Sequence, residues 1–313
     1  MFINAIAHYL PKEEVHNDYF LRNGLTDEWI FQRTGIKTRK KASPSENSHT
    51  MGLEAVQLAL RELPYPVEEV DLIIGATYSP FDTVGTVAHY VQQNLQIPNA
   101  AVVTVSSACS SFVNAVEVVE GYFASGKASK ALVVASEHNT AYSNDDDEVA
   151  GHLWGDGASA VFISKEAESQ DESQILEVFS RGHGHIGRGP EGVYLRPNNG
   201  GIGMPFGRDV FTHAIHYMTE STKEVLKKRD LLPSQLRYII PHQANARIIK
   251  NVLKQLEMQP EQAWVNITDC GNTGCASTAI GLSQAYNKIR KNEYAVLTVF
   301  GGGYSSGAIL IQR

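Results

Sequence analysis

Asp71-Leu72-Ile73-Ile74-Gly75 and Arg237-Tyr238-Ile239-Ile240 are two short apolar runs with the same sequel. Cys109 lies 36 residues beyond Ile73, and Cys275 lies 36 residues beyond Ile239. Each cysteine opens an amphipathic stretch. After Cys109 the positions Phe112, Val113, Val116, Val119 and Phe123 recur at helical spacing, and after Cys275 the pattern runs through Ala279, Ile280, Ser283 and Tyr286. Each copy closes on a run suited to a buried strand, Ala131-Leu132-Val133-Val134-Ala135 in the first and Ala295-Val296-Leu297-Thr298-Val299 in the second. One matched spacing arises by chance in any α/β chain. Three features agreeing in order predict a duplication, offset by about 166 positions.

Each copy reads as strand, functional turn, helix and returning strand, so the expected class is layered α/β with much parallel pairing. Lys165-Glu166-Ala167-Glu168-Ser169-Gln170-Asp171-Glu172-Ser173 is polar and aperiodic and reads as a linker. It divides the chain into an N-terminal half, 1–168, and a C-terminal half, 169–313.

Composition narrows the function. The 313 residues are 42% hydrophobic and 19% charged, an ordinary globular balance, and the net charge of -7 argues against a nucleic-acid binder. Three widely spaced cysteines cannot build a disulfide framework and fit a reducing compartment, with cytoplasm the expected location. The start, Met1 to His8, is apolar but lacks a basic segment and meets Pro11, Glu13 and Glu14, so no signal peptide is expected. No apolar run approaches the roughly 20 residues of a membrane span.

Cys109 sits in Val103-Thr104-Val105-Ser106-Ser107-Ala108-Cys109-Ser110-Ser111-Phe112, where a β-branched run gives way to a helical face. That position predicts a sulfur at a helix N-terminus, where unpaired N–H groups and the macrodipole favour thiolate. A lone cysteine is more often a small buried apolar residue. His242 and Asn272 change the balance. His242 follows Tyr238-Ile239-Ile240-Pro241 and precedes a helical pattern at Ile248, Ile249, Val252, Leu253 and Leu256. Asn272 lies in the glycine-bracketed turn Asp269-Cys270-Gly271-Asn272-Thr273-Gly274. Singly, such residues are a structural histidine and a turn former. Together they put Cys, His and Asn on strand-to-helix turns, which collect along the carboxyl edge of an α/β layer where ligands bind.

Ala108-Cys109-Ser110-Ser111-Phe112, Pro241-His242-Gln243-Ala244-Asn245, Gly271-Asn272-Thr273-Gly274 and Phe300-Gly301-Gly302-Gly303 resemble β-ketoacyl-acyl-carrier-protein synthase III enzymes. Asp27-Glu28-Trp29-Ile30, Arg33-Thr34-Gly35-Ile36 and Gly155-Asp156-Gly157 also look like that family, and the resemblance keeps its order along the whole chain. It implies a thiolase-like fold of two duplicated halves in an αβαβα layering, and an obligate homodimer. It implies a decarboxylative Claisen condensation between an acyl thioester and malonyl-acyl carrier protein, as in the initiation of fatty-acid synthesis.

By the same resemblance Cys109 carries the acyl group, while His242 and Asn272 donate to the enolate oxygen. The N–H groups of Cys109 and Gly302 form a second oxyanion hole. Trp29 would stack on the adenine of coenzyme A, Arg33 would meet its phosphates, and Gly207 and Asn245 would line the pantetheine tunnel. Coenzyme A enters as an acyl-CoA substrate; no cofactor or metal is expected.

Three positions depart from the family pattern. Glu148 stands where an arginine usually faces the adenine, which points to a carrier-bound acyl donor as the alternative to acyl-CoA. Ser111 replaces a common glycine beside the nucleophile, and Val84 replaces a phenylalanine that crosses the dimer interface, so the acyl pocket is expected to take a group bulkier than acetyl. Arg247, Lys250 and Lys254 share a helix face by spacing and offer a dock for acidic acyl carrier protein, or a solvated face. The rival readings are a condensing enzyme or acyltransferase of secondary metabolism, a cysteine hydrolase, and a silent subunit that stabilises a partner synthase. Neither nucleic acid nor membrane is expected as a partner.

Overall fold

The runs that decide the fold are apolar at every position because both faces of their strands are buried. A computed structural model, describing residues 1–313, shows how. The strands are β1 (Phe2–Tyr9), β2 (Glu13–His16), β3 (Thr38–Lys41), β4 (Leu72–Ala76), β5 (Ala101–Val105), β6 (Lys130–Glu137), β7 (Gly157–Ser164), β8 (Ser173–Gly182), β9 (Tyr194–Arg196), β10 (Gly201–Gly203), β11 (Leu236–Pro241), β12 (Tyr294–Gly301) and β13 (Ser305–Gln312). The helices are α1 (Asp27–Thr34), α2 (Ser48–Ala59), α3 (Val87–Leu95), α4 (Ser111–Ala124), α5 (Gly207–Lys227), α6 (Ala246–Gln255), α7 (Ile267–Cys270) and α8 (Ala276–Ala285).

Nine strands form one sheet in the order β11-β12-β13-β8-β1-β7-β6-β4-β5. Read outward from its middle, β1-β7-β6-β4-β5 is answered by β8-β13-β12-β11, and an isolated bridge from Ile239 to Ala263 stands where a fifth strand would lie. Only Phe2 with Gln174 and Ile3 with Ser173 join the two sets. The pairing is more mixed than the sequence suggests. β4 is parallel to β5 and β6, and β11 to β12, whereas β1–β7, β6–β7, β12–β13 and β8–β13 are antiparallel. Of these antiparallel pairs only β12–β13 is a tight return; β6 reaches β7 across residues 138–156, and β1–β7 and β8–β13 join strands far apart in the chain.

Three apolar clusters define five layers. Phe112, Val116 and Phe123 of α4 and Ala279, Ile280 and Leu282 of α8 share the largest cluster with Leu72, Ile74, Ile240 and Leu297. These two helices lie between the sheet halves and touch strands of both. A second cluster packs α2 and α3 on Ile73, Leu132 and Val134, and a third packs α5 and α6 on Ile239 and Val296. Ile73 and Ile74, like Ile239 and Ile240, therefore face opposite layers, as the two-residue period of a strand requires. Truncating any of these to alanine should destabilise the fold by about 2–5 kcal/mol. No helix is long and apolar enough to cross a membrane.

Candidate active site

The strands that run parallel end on the same edge, and the polar residues of interest follow those ends. β4 leads into Thr77-Tyr78-Ser79, β5 into Ser106 to Ser110, β6 ends at Glu137, β11 leads into His242 and β12 into Gly302.

Cys109 sits in the turn before α4, one residue ahead of the N-cap Ser110. Ala108 is held at φ 48°, a left-handed conformation uncommon for a residue with a Cβ. Ser111 fixes the turn, its hydroxyl donating to the Ala108 carbonyl at 2.6 Å and accepting from the Ser107 N–H at 2.8 Å. It is buried and turned away from the cavity, so its part is to brace the nucleophile turn. The Gly302 N–H and the Tyr78 hydroxyl are neighbours of the Cys109 sulfur that favour its charged form, though neither is hydrogen-bonded to it. Neither the Cys109 N–H nor the Gly302 N–H is spent on a backbone carbonyl. Gly301 makes this approach possible, since a Cβ there would lie 2.8 Å from the Cys109 nitrogen.

The expectation of a thiolate fails. Burial, and then the Glu137 carboxylate, push the Cys109 thiol up to about 12, against the opposing pull of Gly302 and Tyr78. A helix terminus contributes about 0.3–1 kcal/mol, less than the several kcal/mol of desolvating a charge. Cys109 as a residue is only partly covered, because one side forms a cavity wall.

That cavity, about 360 Å³, is mostly apolar. Tyr78, Ala108, Cys109, Trp154 and Gly302 form its floor, and Val193, Tyr194, Leu195 and Ile202 its roof. The roof is largely the β9–β10 hairpin, whose glycine- and asparagine-rich sequence reads only as a loop near a tunnel.

His242 is buried, with Nδ1 2.7 Å from the Ser277 hydroxyl on α8. Burial lowers its pKa to about 4, so the ring is neutral at physiological pH. Its backbone N–H donates to the Thr298 carbonyl of β12, which fixes it beside the strand that leads into Gly302. Asn272 is anchored through its backbone. Its N–H donates to Leu153, and its carbonyl accepts from the Gly155 N–H at 3.0 Å and Asn139 Nδ2 at 3.2 Å. Its Oδ1 accepts from the Gly274 N–H at 3.0 Å, whereas Nδ2 makes no hydrogen bond within the chain. Trp154, bridged to Asn272, is the shared wall between this turn and the Cys109 cavity. His242 and Asn272 themselves are not among the cavity-lining residues.

Glu137 is a site residue that sequence reading missed. Fully buried, it accepts from Thr77 Oγ1, the Ser79 hydroxyl, the N–H groups of Tyr78 and Ser79, and the Cys275 N–H. Desolvation raises its pKa. A lone acid closing the uninterrupted apolar run Ala131–Ala135 was the available signal.

The substrate-binding candidates are more scattered. Thr26 caps α1 by accepting from the Trp29 N–H, and the Arg33 guanidinium lies 4.1 Å from the Trp29 ring centroid. One face of Trp29 is thus covered by Arg33. Asn245 is used as the N-cap of α6, accepting from the Arg247 N–H and donating to the Arg33 carbonyl at 3.0 Å. Gly207 begins α5 beside a separate cleft lined by Arg188 and Asp209. Val84 is 83% exposed and lies outside the Cys109 cavity. Arg247, Lys250 and Lys254 are exposed on α6 and form no ion pair; Glu148 is likewise exposed and unpaired.

Two family models match, 3-oxoacyl-[acyl-carrier-protein] synthase III over residues 103–184 and its C-terminal counterpart over 226–313. A β-ketoacyl-[acyl-carrier-protein] synthase III of Aquifex aeolicus is 36% identical over 307 residues, 97% of this chain and 96% of that one. The chain belongs to the β-ketoacyl-acyl-carrier-protein synthase III family. The solved 3-oxoacyl-[acyl-carrier-protein] synthase III of Aquifex aeolicus superposes with a TM-score of 0.92 at 35% identity, covering 100% of this chain and 99% of that one. The Thermus thermophilus enzyme gives 0.92 at 28% identity, with the same coverage. The thiolase-like fold is that of the family, and the chain is an acyltransferase of the condensing type. A secondary-metabolic specialist is not favoured, since the curated relatives at comparable identity carry the synthase III name.

Proposed function

We propose that the chain condenses an acyl thioester with malonyl-acyl carrier protein through an acyl group on Cys109, initiating fatty-acid synthesis. One observation carries the reading: two N–H groups, of Cys109 and Gly302, are unspent and converge on a sulfur inside a mostly apolar cavity. Such donors suit the oxygen of a tetrahedral intermediate.

In the first half-reaction the Cys109 sulfur attacks the thioester carbonyl, the C–S bond to the donor breaks, and the proton shed by Cys109 leaves with the departing thiol. No net proton is gained or lost, so a thiol at rest is compatible with turnover. In the second, the malonyl C–C bond breaks, carbon dioxide departs, and the electron pair remains as an enolate. Its carbon attacks acyl-Cys109, the C–S bond to Cys109 breaks, and the expelled sulfur takes up one proton from solvent to return to the thiol. Enolate charge is the main barrier. The Ser277 hydroxyl accepts from the Gln243 N–H at 3.4 Å and keeps its own proton to donate to His242 Nδ1, the arrangement that puts the ring proton on Nε2. The His242 Nε2–H and the free Asn272 Nδ2–H then serve as the enolate donors.

The acyl donor is acyl-CoA or a carrier-bound acyl group, and no resident cofactor is required. The Arg33-covered Trp29 and the unpaired Glu148 support the carrier-bound donor. The outward face of α6, with Arg247, Lys250 and Lys254, is the dock for acyl carrier protein. Edge strand β5, with Ala101 and Thr104 exposed, and the nearby Phe81, 64% exposed, support a homodimer in which Val84 completes the partner's acyl pocket. The duplicated halves divide within the linker between β7 and β8, near residue 168, and the cytoplasm is the compartment.

Asn272→Ala separates the two half-reactions. Acylation of Cys109 should stay within a few-fold of wild type, while decarboxylation of the malonyl thioester slows by about 10²–10³-fold. Equal loss in both would contradict the assignment.

A further inference from the structure

Tyr78 follows β4 directly, and its ring lines the cavity that holds the Cys109 sulfur. Its hydroxyl oxygen is buried yet has no hydrogen-bond partner in the chain. Unpaired buried hydroxyls are rare because each forfeits its hydration without return. The only side-chain acceptor beside this one is the Asn139 amide, whose Oδ1 is likewise unpaired, so the O–H is free to turn to a charge that forms on the neighbouring Cys109. The position is tightly set. A Cβ on Gly274 would lie 2.5 Å from the phenol oxygen, so only glycine at 274 admits the ring in this pose. The Tyr78 backbone N–H is held by Glu137, which is fixed in turn by Ser79, Thr77 and Cys275.

We infer that the Tyr78 O–H is a further catalytic hydrogen-bond donor, directed at the Cys109 sulfur when it carries negative charge. The charge appears twice per cycle, as the thiol gives up its proton in attacking the donor thioester and as the sulfur is expelled when the enolate carbon displaces it. Burial and the neighbouring charges of Cys109 and Glu137 raise the phenol pKa well above its ordinary value, so the group stays protonated and able to donate throughout the working range. It offsets the Glu137 carboxylate, which disfavours the same negative sulfur. The inference rests on Cys109 as the nucleophile, and the test below separates the two.

The test is the pH dependence of Cys109 alkylation by iodoacetamide, followed by peptide mass spectrometry, in wild type and Tyr78→Phe. Losing the donor should move the profile to higher pH and slow alkylation at pH 8 by roughly 10-fold to 100-fold, the usual range for a hydrogen bond to a charged group. Acylation by a thioester should fall in parallel. 3-Fluorotyrosine at position 78, a stronger donor that keeps the ring, should move the profile to lower pH, and it serves if the phenylalanine variant does not fold. An unchanged profile in both variants overturns the inference, as does a changed acyl preference at unchanged profile, which would make Tyr78 a shape residue alone. If alkylation responds as expected but no thioester acylates Cys109, the donor stands and the proposed function fails.

Discussion

Cys109 and Cys275 occupy corresponding turns of the two halves and have opposite fates. Each precedes an interlayer helix, α4 or α8, and each follows a residue with positive φ, Ala108 at 48° and Gly274 at 57°. The difference lies in what their N–H groups meet. That of Cys109 has no backbone acceptor and opens on a cavity beside Gly302, whereas that of Cys275 donates to the Glu137 carboxylate at 3.3 Å. Cys275 is fully buried, its S–H donating to the Ala76 carbonyl at 3.3 Å. A strand-turn-helix unit thus supplies the pose of a nucleophile twice, and one carboxylate closes the second copy as an anion site. The second turn keeps a different duty, carrying Asn272.

The comparison can be broken in order of effect. Cys109→Ala should lower condensing activity by at least about 10³-fold, measured as ketoacyl product. Gly274→Ala should destabilise the fold by roughly 2–3 kcal/mol in denaturant unfolding, because it combines an unfavourable φ with a Cβ 2.5 Å from Tyr78 and 2.9 Å from Glu137. Ala108→Gly, at the matching position, should stay within about 1 kcal/mol of wild type, since relief of strain is offset by a freer unfolded chain. Cys275→Ala should cost about 1 kcal/mol of stability while activity stays within a few-fold.

Acid tests the neutral imidazole. His242 titrates near 4 in the folded chain against 6.5 unfolded, so between those values the unfolded chain binds the extra proton. Stability should therefore fall as pH drops from about 6.5 to 4, by up to roughly 3 kcal/mol from this residue. His152, lowered to about 4 by burial and Arg39, acts in the same direction. His242→Gln should remove its own share of the slope and leave that of His152. An unchanged slope would mean that His242 is not held neutral by burial.

Much of the fold was legible because burial on both strand faces writes continuous apolar runs, and because duplication repeats their spacing. The antiparallel pairs were less so, since β1–β7 and β8–β13 join strands far apart in the chain and no local pattern reports such a pairing. At the site, Cys109, Gly302, His242 and Asn272 were legible from their turns and the family resemblance. Their environment was not. The thiol is pushed up by burial and Glu137, a partner 28 positions away in sequence, and no local pattern reports that. Tyr78 and the β9–β10 roof join the cavity through contacts made only on folding. Ser111 and Asn245 have the residue types of substrate contacts but are spent on bracing a turn and capping a helix.

The most direct test of the account is to expose the protein to an acyl thioester, quench, and locate the added mass by peptide mapping. The account predicts one acyl group per chain on the peptide that contains Cys109, retained in Cys275→Ala and absent from Cys109→Ala. An adduct on Cys275, or none on Cys109 with any acyl thioester, would contradict it.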